Sequence, residues 1–462
     1  MRAQDLPELF IRTFKHYYDQ LLSGQAGFIP DSDIDAVSQL PNAEELPSYF
    51  AELGAQQIGK VVVIKLNGGL GTSMGLQKAK SLLPVKDNLT FLDIIARHAL
   101  HHHTPLVLMN SFNTRDQSMA HLQQYPDLDS DTPLDFLQHK APKISQDTLE
   151  PVSWPRNRDM EWAPPGHGDI YTALMTSGML ETLLAHGYDY AFVSNSDNLG
   201  AALDATILGY FIDQKAPFMM EVADRTAADR KGGHLARRKI DGQLILRESA
   251  QCPESDKESF QNVDRYRYFN TNNLWLHLPT LKEVQLEKNG ILGLPIILNK
   301  KTVDPRDPAS TPVYQIETAM GSAIAVFAGA QALRVPRSRF SPVKTTNELL
   351  AVRSDAYRLT DDYRITLLPE RRGKNVIVDL DPRFYKLIDQ FDARFPFGPP
   401  SLRRCDKLVV RGDVVFGKQI VLEGEIEIIN EDADPYFFDE EQAALYLDHP
   451  HHHGSTLFLD KE

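Results

Sequence analysis

Cysteine is nearly absent from this chain of 462 residues, which contains only Cys252 and Cys405. The two lie far apart and form neither a CxxC unit nor a disulfide framework, which excludes a disulfide-stabilised secreted domain. The sequence also lacks a run of about 18 apolar residues, the length that a membrane-spanning helix needs. Its first residues lack the apolar core of a signal peptide. We therefore expect a cytoplasmic protein that does not act at a membrane.

Positive charge is also scarce, because 49 Lys and Arg residues stand against 63 Asp and Glu residues, giving a formal net charge of −14. This balance disfavours attraction to nucleic acids, so we expect no nucleic-acid partner. Hydrophobic residues make up 42% and charged residues 24%, as in ordinary globular proteins. At about 100–200 residues per domain, the length predicts two or three domains. A ligand that carries phosphate would need basic side chains concentrated at its site.

The hydrophobic pattern divides the chain into three parts. In residues 1–45, apolar residues recur at helical spacing and indicate a helical segment that packs on a neighbouring domain. In residues 46–350, short apolar runs such as 58–66 and 190–194 alternate with longer amphipathic stretches. This alternation predicts parallel strands joined by crossover helices, hence an α/β domain whose site lies at the carboxyl ends of the strands.

The third part, residues 351–462, contains short strands interrupted by glycine every five to seven residues, as in the segment 408–424. This spacing is typical of the stacked turns of a β-solenoid. Two or three coils are too few to establish a repeat, and an ordinary antiparallel meander is the alternative.

The most informative motif lies in residues 61–81, VVVIKLNGGLGTSMGLQKAKS. A buried strand leads into a loop rich in glycine, so the backbone can approach a ligand and its amides can bind phosphate oxygens. The loop is not a P-loop, because Gly75 is followed by Leu-Gln, and Met74 replaces the third glycine of a dinucleotide fingerprint. We interpret it as a nucleotide-phosphate loop, with a tight structural turn as the alternative. Of Lys78 and Lys80, at most one points at the ligand.

Two further loops carry groups that suit phosphate chemistry. His167 stands in PPGHGDIY (164–171), where Pro and Gly fix a loop that presents the imidazole, and Asp169 is a candidate helix N-cap. Asp197 follows an apolar strand in AFVSNSDNLG (191–200), the place from which a carboxylate holds Mg²⁺ together with substrate phosphates. A structural turn is the alternative for each.

Downstream segments carry groups suited to a sugar and to anions. The Asn-rich segment 268–275 and the lone Glu317 offer the directed donors and acceptors that sugar hydroxyls need. Arg337, Arg339 and Lys344 form the densest basic segment outside the glycine loop. We expect them to supply positive charge to anionic substrates, with a solvated edge strand as the alternative.

In order along the chain, these motifs closely resemble those of the eukaryotic-type UDP-glucose pyrophosphorylase family. The segments that carry the resemblance are LNGGLGTSMG (66–75) with Lys80, PGHGD (165–169), SNxDNLG (194–200), FNTNNLW (269–275) and VPRSRFxPVK (335–344). The resemblance implies a Rossmann-like nucleotidyltransferase domain with a mixed sheet, followed by a C-terminal left-handed β-helix. It also implies the reaction UTP + glucose 1-phosphate ⇌ UDP-glucose + pyrophosphate, by direct in-line displacement assisted by Mg²⁺.

The same resemblance implies roles for individual residues. Lys344 is the catalytic lysine that it implies, with Lys80 beside it. The implied UTP-binding residues are Leu66, Asn67, Gly68, Gly69, Lys80, Gln138, Gly166, Asn195, Asp197 and Lys344. Those implied for glucose 1-phosphate are His167, Gly233, Asn272 and Glu317. Asp197 is the implied Mg²⁺ ligand.

Two other functions remain open on the sequence alone. A UDP-sugar or UDP-N-acetylhexosamine pyrophosphorylase would perform the same chemistry on another sugar phosphate, although Asn67 and the Ser73-Met74 pair favour the glucose enzyme. A non-catalytic UDP-sugar sensor would have the fold without turnover, and the joint presence of Lys80 and Asp197 with Lys344 argues against it. The oligomeric state is undetermined, and the C-terminal segment is the candidate contact of a homo-oligomer.

Overall fold

The computed structural model describes residues 1–24, 27–128, 132–447 and 453–458, in which helices and strands alternate along most of the chain. The α-helices in these ranges are α1 (Glu8–Leu22), α2 (Tyr49–Gln57), α3 (Phe91–His101), α4 (Arg115–Leu122), α5 (Ile170–Thr176), α6 (Met179–Ala185), α7 (Ala205–Asp213), α8 (Lys257–Gln261), α9 (Leu278–Glu287), α10 (Thr346–Arg353), α11 (Pro382–Tyr385), α12 (Ile388–Arg394) and α13 (Glu440–Leu447). The strands there are β1 (Ile34–Ala36), β2 (Val61–Asn67), β3 (Pro84–Lys86), β4 (Leu89–Thr90), β5 (Leu106–Asn110), β6 (Asp135–Leu137), β7 (Ala141–Pro142), β8 (Ile144–Ser145), β9 (Trp162–Ala163), β10 (Tyr190–Asn195), β11 (Phe218–Asp224), β12 (His234–Arg238), β13 (Leu244–Arg247), β14 (Tyr268–His277), β15 (Ile296–Thr302), β16 (Pro312–Thr318), β17 (Gln331–Arg334), β18 (Tyr357–Leu359), β19 (Ile365–Leu367), β20 (Ile377–Leu380), β21 (Ser401–Arg411), β22 (Val414–Phe416), β23 (Val421–Ile429), β24 (Tyr436–Phe438) and β25 (His453–Phe458). Over the described ranges, no helix combines the length and the apolar character needed to cross a bilayer.

A central mixed sheet joins strands from β1 to β17. Its strands follow the order β1-β12-β14-β10-β2-β5-β6, with β11 and β17 attached beside β14 and β13 beside β12. Strands β10, β2, β5 and β6 run parallel, with Asn195 opposite Leu66 and Asn67 opposite Asn110. Strand β14 runs antiparallel to β10, which makes the sheet mixed. The expected α/β domain with a mixed sheet is therefore confirmed.

The apolar run at 61–66 forms a strand that is covered on both faces. Val62 and Ile64 pack into one core with α5 and α6, whereas Val61 packs into another with Phe192 and Trp275. Because both faces of this strand are covered, nearly all of its side chains are apolar, which explains the sequence VVVIKL. The central strands are therefore held rigidly, and the loops at their carboxyl ends start from fixed points.

Helices α2 and α7 pack against each other backbone to backbone. A Cβ added to Gly209 would clash with the Phe50 carbonyl, and one added to Gly54 would clash with the Ala205 carbonyl. Both glycines therefore allow a close approach that no larger residue permits.

Substituting Gly209→Ala is expected to destabilise the protein by about 1–3 kcal/mol, because the added methyl group has to push the two helices apart. Denaturant unfolding followed by circular dichroism measures the change. Gly59→Ala is the matched control, since a Cβ there meets nothing within 4 Å. Equal stability of the two variants would contradict the close packing.

From β20 onwards the C-terminal part is built from strands that pair in parallel, whereas β18 and β19 form a separate antiparallel pair. Strands β20, β21, β23 and β25 pair in parallel in that order, and β22 pairs in parallel with β24. Leu408 lies opposite Ile426 and both are buried. The antiparallel meander is therefore wrong for the strands from β20 onwards. Helix α10 carries the chain across residue 350, and Leu349 and Leu350 pack into the C-terminal core.

Candidate active site

The glycine-rich loop follows β2 at the carboxyl edge of the parallel strands. Gly71 and Gly75 have φ of +64° and +73°, a conformation that favours glycine. Met74 and Leu76 are buried, while Gly69 is exposed. The loop is therefore anchored by two apolar side chains, and its first glycines face the open edge of the sheet.

Lys80 and Lys344 converge on one carboxylate at this edge. Nζ of Lys80 lies 2.7 Å from Oδ2 of Asp197, and Nζ of Lys344 lies 3.1 Å from the same oxygen. Burial alone would raise the pKa of Asp197, but the nearby Lys344 and Lys80 outweigh it and the pKa is lowered. Asp197 is therefore ionised at neutral pH. Of the two loop lysines, Lys80 faces this site, and Lys78 is exposed.

The second oxygen of Asp197 has the character of a cation ligand. Oδ1 is buried and has no hydrogen-bond partner among the described residues. A buried carboxylate oxygen without a partner is costly, and a hard cation such as Mg²⁺ satisfies it. The side chain that the sequence analysis assigned to Mg²⁺ therefore fits that role.

Hydrogen bonds attach the segment that carries Lys344 to the turn that carries Asp197. The Val343 amide donates to the Asp197 carbonyl at 3.1 Å. The side chain of Asn198 accepts from the Ser341 amide at 2.9 Å and donates to the Arg339 carbonyl at 3.1 Å. These bonds hold the backbone that leads to Lys344 next to the turn that carries Asp197.

A buried ion pair between Arg339 and Glu221 fixes the same segment to strand β11. Arg339 donates to both carboxylate oxygens of the fully buried Glu221, at 2.8 and 2.7 Å. Trp275 and Asn273 also donate to Glu221, each at 3.0 Å. Because its charge is neutralised there, Arg339 does not supply positive charge to the substrates, which corrects the sequence expectation.

Arg337 is likewise paired with a carboxylate, since its Nη1 lies 2.8 Å from Asp229.

Lys65 is a buried cation that the sequence analysis did not identify. Its ammonium donates to Ser194 Oγ at 2.7 Å and to the Ala201 carbonyl at 2.9 Å, and burial lowers its pKa to about 7. The only sign of this buried cation in the sequence is that a single lysine interrupts the apolar run at 61–66.

The loop at 164–169 presents His167 in a defined tautomer. Gly166 has φ of +81°, and His167 Nδ1 accepts from the Met320 amide at 2.9 Å. Burial, assisted by Lys344, lowers the pKa of His167 to about 4. The ring is therefore neutral at pH 7, and its proton is on Nε2, which can donate to a substrate oxygen.

Gln138 follows β6 and lies between the two glycine-containing loops. Its Nε2 donates to the Gly166 carbonyl at 2.8 Å, and a Cβ on Gly68 would come within 2.8 Å of its Oε1. The side chain of Asn67 is buried between β5 and α4, donating to Asn110 at 2.7 Å and to Ser118 at 2.8 Å. Asn67 can therefore contact a ligand only through its backbone. The half-buried Leu66 and Asn195 lie opposite each other in the paired strands β2 and β10, and Asn195 is the last residue of β10.

A buried pair that the sequence analysis missed holds the Gln138 segment to the His167 loop. Nδ1 of His139 lies 2.9 Å from Asp169, whose carboxylate also accepts from the His139 amide at 2.8 Å. Asp169 does stand at the start of α5, but its side chain makes no capping bond there. The carboxylate of Asp169 therefore binds His139, which is distant in sequence, and does not cap α5.

The structure brings together only some of the residues predicted to bind glucose 1-phosphate. Glu317 lies beside Gly166, and burial raises its pKa. Asn272 has φ of +59° and accepts from the Asn270 side chain, which lies close to Gly321. Gly233 is packed against the carboxylate of Glu248. Among the described residues, no contact links Gly233 to the other residues predicted to bind the sugar.

Buried histidines make the stability depend on pH. Burial lowers the pKa of His167 to about 4 and that of His234 to about 3, against about 6.5 in an unfolded chain. The unfolded chain therefore binds protons that the folded chain does not. The stabilisation is complete above pH ~6.5 and is lost as the pH falls towards 4.

We expect a lower melting temperature at pH 5 than at pH 7.5, measured by calorimetry at constant ionic strength. His234→Gln is expected to reduce the difference between the two values, because it removes one of these groups. A melting temperature that stays constant over this range would contradict the buried neutral histidines.

Comparison with known proteins shows the relationships of the chain. The sequence model of the family described as UTP–glucose-1-phosphate uridylyltransferase matches residues 11–423. A probable UTP–glucose-1-phosphate uridylyltransferase of Schizosaccharomyces pombe is 41% identical over 409 residues, which cover 85% of this chain and 79% of the relative. The enzyme of that name from Solanum tuberosum is 40% identical over 431 residues, covering 90% of this chain and 87% of the relative.

Solved structures give the same result. A mutant UDP-glucose pyrophosphorylase from Leishmania major, in complex with UDP-glucose, is 47% identical, covers 95% of each chain and has a TM-score of 0.88. A UDP-glucose phosphorylase from Trypanosoma brucei is 42% identical, covers 100% of this chain and 98% of its own, and has a TM-score of 0.89. The chain therefore belongs to the UTP–glucose-1-phosphate uridylyltransferase family.

Proposed function

We propose that this protein transfers a uridylyl group from UTP to glucose 1-phosphate, giving UDP-glucose and pyrophosphate. The observation that carries the proposal is the convergence of Lys80 and Lys344 on Asp197 beside the glycine loop. A chain of net charge −14 binds two anionic substrates only where cations are concentrated in this way. The names of the relatives support the same reaction.

The reaction is a direct displacement at the α-phosphorus of UTP. A phosphate oxygen of glucose 1-phosphate forms the new P–O bond as the bond to pyrophosphate breaks, so no covalent enzyme intermediate is needed. In the unliganded site the two ammonium groups are paired with Asp197. Lys344 is more than half exposed and moves to the α-phosphate, where its compact charge stabilises the transition state. Lys80, which is largely buried, stays as the fixed cation.

Asp197 is the residue that we propose to hold Mg²⁺, through its unpartnered buried Oδ1. When bound, the ion supplies charge neutralisation between the phosphate groups of the substrates. The chain itself keeps Asp197 in place through the Val343 amide and keeps it ionised through the two lysines.

The uridine site in this proposal lies between the two glycine-containing loops. The backbone of Leu66, Asn67, Gly68 and Gly69 lines one side of it, and Gly166 lines the other. Gln138 lies between them with one amide proton already donated to Gly166. Its second amide proton and its carbonyl oxygen remain for the base. Asn195, at the end of β10, is proposed for the ribose or the α-phosphate.

Glucose 1-phosphate is proposed to bind beside His167, whose Nε2–H donates to the sugar phosphate. Glu317 and Asn272 are proposed for the glucose hydroxyls, and Gly233 for a close backbone approach. The raised pKa of Glu317 suits a carboxyl group that exchanges water for sugar hydroxyls.

The sugar range is tested by pyrophosphate release from UTP with a panel of sugar 1-phosphates. We expect glucose 1-phosphate to give the highest kcat/KM, well above N-acetylglucosamine 1-phosphate. Equal rates with several sugars would instead indicate a broad UDP-sugar pyrophosphorylase. Binding of UDP-glucose without any turnover would indicate the non-catalytic sensor.

We also propose the organisation of the remaining chain. Residues 1–45 are a helical preface, residues 46–350 the catalytic domain, and residues 351–462 a linker with a left-handed β-helix, a reading supported by the parallel pairing of β20, β21, β23 and β25. The C-terminal part is the candidate contact of a homo-oligomer. A cytoplasmic location is supported by the two free, buried cysteines.

A further inference from the structure

The end of α3 and the turn between β18 and β19 bring three potential metal ligands together. One ligand atom from each of His98, His102 and Asp362 lies within 4.8 Å of the other two. The histidines are four residues apart, so they project from the same face of the helix end. Asp362 comes from far along the chain, in the turn that follows β18. The fold, and not local sequence, therefore creates the cluster.

The separation between His102 and Asp362 is close to that of two ligands in a metal coordination sphere. His102 Nε2 and Asp362 Oδ2 lie 3.5 Å apart. Two ligands bound tetrahedrally at zinc, each at about 2.0–2.1 Å, are separated by about 3.3 Å. His98 Nδ1 lies 2.7 Å from the backbone carbonyl of Asp362, which can only accept, so Nδ1 donates and Nε2 keeps the lone pair. A backbone carbonyl is a common partner for the second nitrogen of a metal-bound histidine.

The present partners of Asp362 do not block such a site. Its Oδ2 accepts from Arg364 at 2.7 Å and its Oδ1 from Thr360 at 2.5 Å. The Arg364 side chain is half exposed, so it can move into solvent when a divalent cation takes over the neutralisation of the carboxylate. The Thr360 bond can remain, since it uses the other oxygen.

We propose that His98, His102 and Asp362 form a binding site for a zinc-class divalent cation, which ties the end of α3 to the β18–β19 turn. Two imidazoles and one carboxylate are the donor set of zinc and the neighbouring transition metals, whereas Mg²⁺ and Ca²⁺ prefer oxygen ligands. The site is therefore chemically different from that of Asp197. Three protein ligands leave a fourth position for water.

The test uses the untagged full-length chain, freed of metal with a chelator, in a background where His451, His452 and His453 are replaced by glutamine. That background removes a second run of histidines, whose imidazoles are also of the ligand type that zinc prefers. Zinc chloride is titrated by calorimetry at pH 7.5 with excess Mg²⁺ present, so that hard-cation sites are occupied. We expect one zinc ion per chain and a higher melting temperature with zinc than without it.

Three variants of this background locate the site. His102→Asn and Asp362→Asn are each expected to weaken zinc binding by at least about 10-fold, the size of effect known for groups around bound metals. His103→Asn is the matched control from the same run and is expected to bind zinc like the background. Melting curves without metal verify that all three are folded. Absence of zinc binding in the background, or unchanged binding in His102→Asn, would overturn the proposal.

Discussion

Replacing Lys344 by alanine is expected to lower kcat by about 10²–10³-fold, the usual loss when one transition-state donor is removed. Lys344 is the more exposed of the two lysines at Asp197, and for that reason we propose it as the cation that follows the charge developing on the α-phosphate. Lys80 and the glycine loop remain in the variant, and UDP-glucose should therefore still bind. Pyrophosphate release gives kcat, and calorimetry gives the affinity for UDP-glucose.

Lys78→Ala is the matched control for this experiment. It removes a lysine of the same glycine-loop region whose side chain is exposed to solvent. We expect less than about a 3-fold change in its kcat, the range of an ordinary surface substitution. An unchanged kcat in Lys344→Ala would contradict the catalytic role. A comparable loss in both variants would show that overall positive charge matters and not the position of Lys344.

The Asp197→Asn variant separates binding from catalysis. We expect kcat to fall by about 10²–10³-fold, because the amide neither holds a hard cation well nor keeps the two lysines in position. Binding of UTP without a divalent cation is expected to become tighter. The reason is that the substitution removes the negative charge next to the triphosphate and releases Lys80 and Lys344 for it.

These opposite effects are measured by steady-state kinetics with Mg²⁺ and by calorimetry of UTP in a chelating buffer. The control is Asp189→Asn, which removes a carboxylate just before β10, at the opposite end of the strand that leads to Asp197. It should change neither quantity. Weaker UTP binding by Asp197→Asn in the chelating buffer would show that Asp197 does not compete with the phosphates for the lysines.

Features set by local sequence could be predicted. The run VVVIKL predicts a strand covered on both faces, and the alternation that follows predicts its parallel neighbours β5 and β10. The density of glycine after β2 predicts a loop with positive φ, which Gly71 and Gly75 adopt. The placement of Asp197 at a strand end also follows from sequence, because an apolar run and a polar turn mark that position.

Features that depend on partners distant in sequence could not be predicted. Glu221 and Arg339 are separated by 118 positions, and only the folded sheet shows that the arginine neutralises a buried carboxylate. Asp169 occupies the N-cap position that its sequence indicates, yet its carboxylate binds His139 because that buried ring needs an acceptor. In each case the side chain has more than one acceptable partner on the sequence alone, and a residue distant in sequence determines which one it binds.

The packing of the glycine loop has a consequence for the order of events during synthesis. A Cβ on Gly75 would lie 3.0 Å from the side chain of Leu387, and Met74 and Leu76 belong to the same core as Leu402 and Leu408. Part of the packing around the glycine loop is therefore supplied by chain that leaves the ribosome long after the loop itself. A nascent chain that ends before Leu387 lacks these contacts, so the packing around the loop is completed late in synthesis.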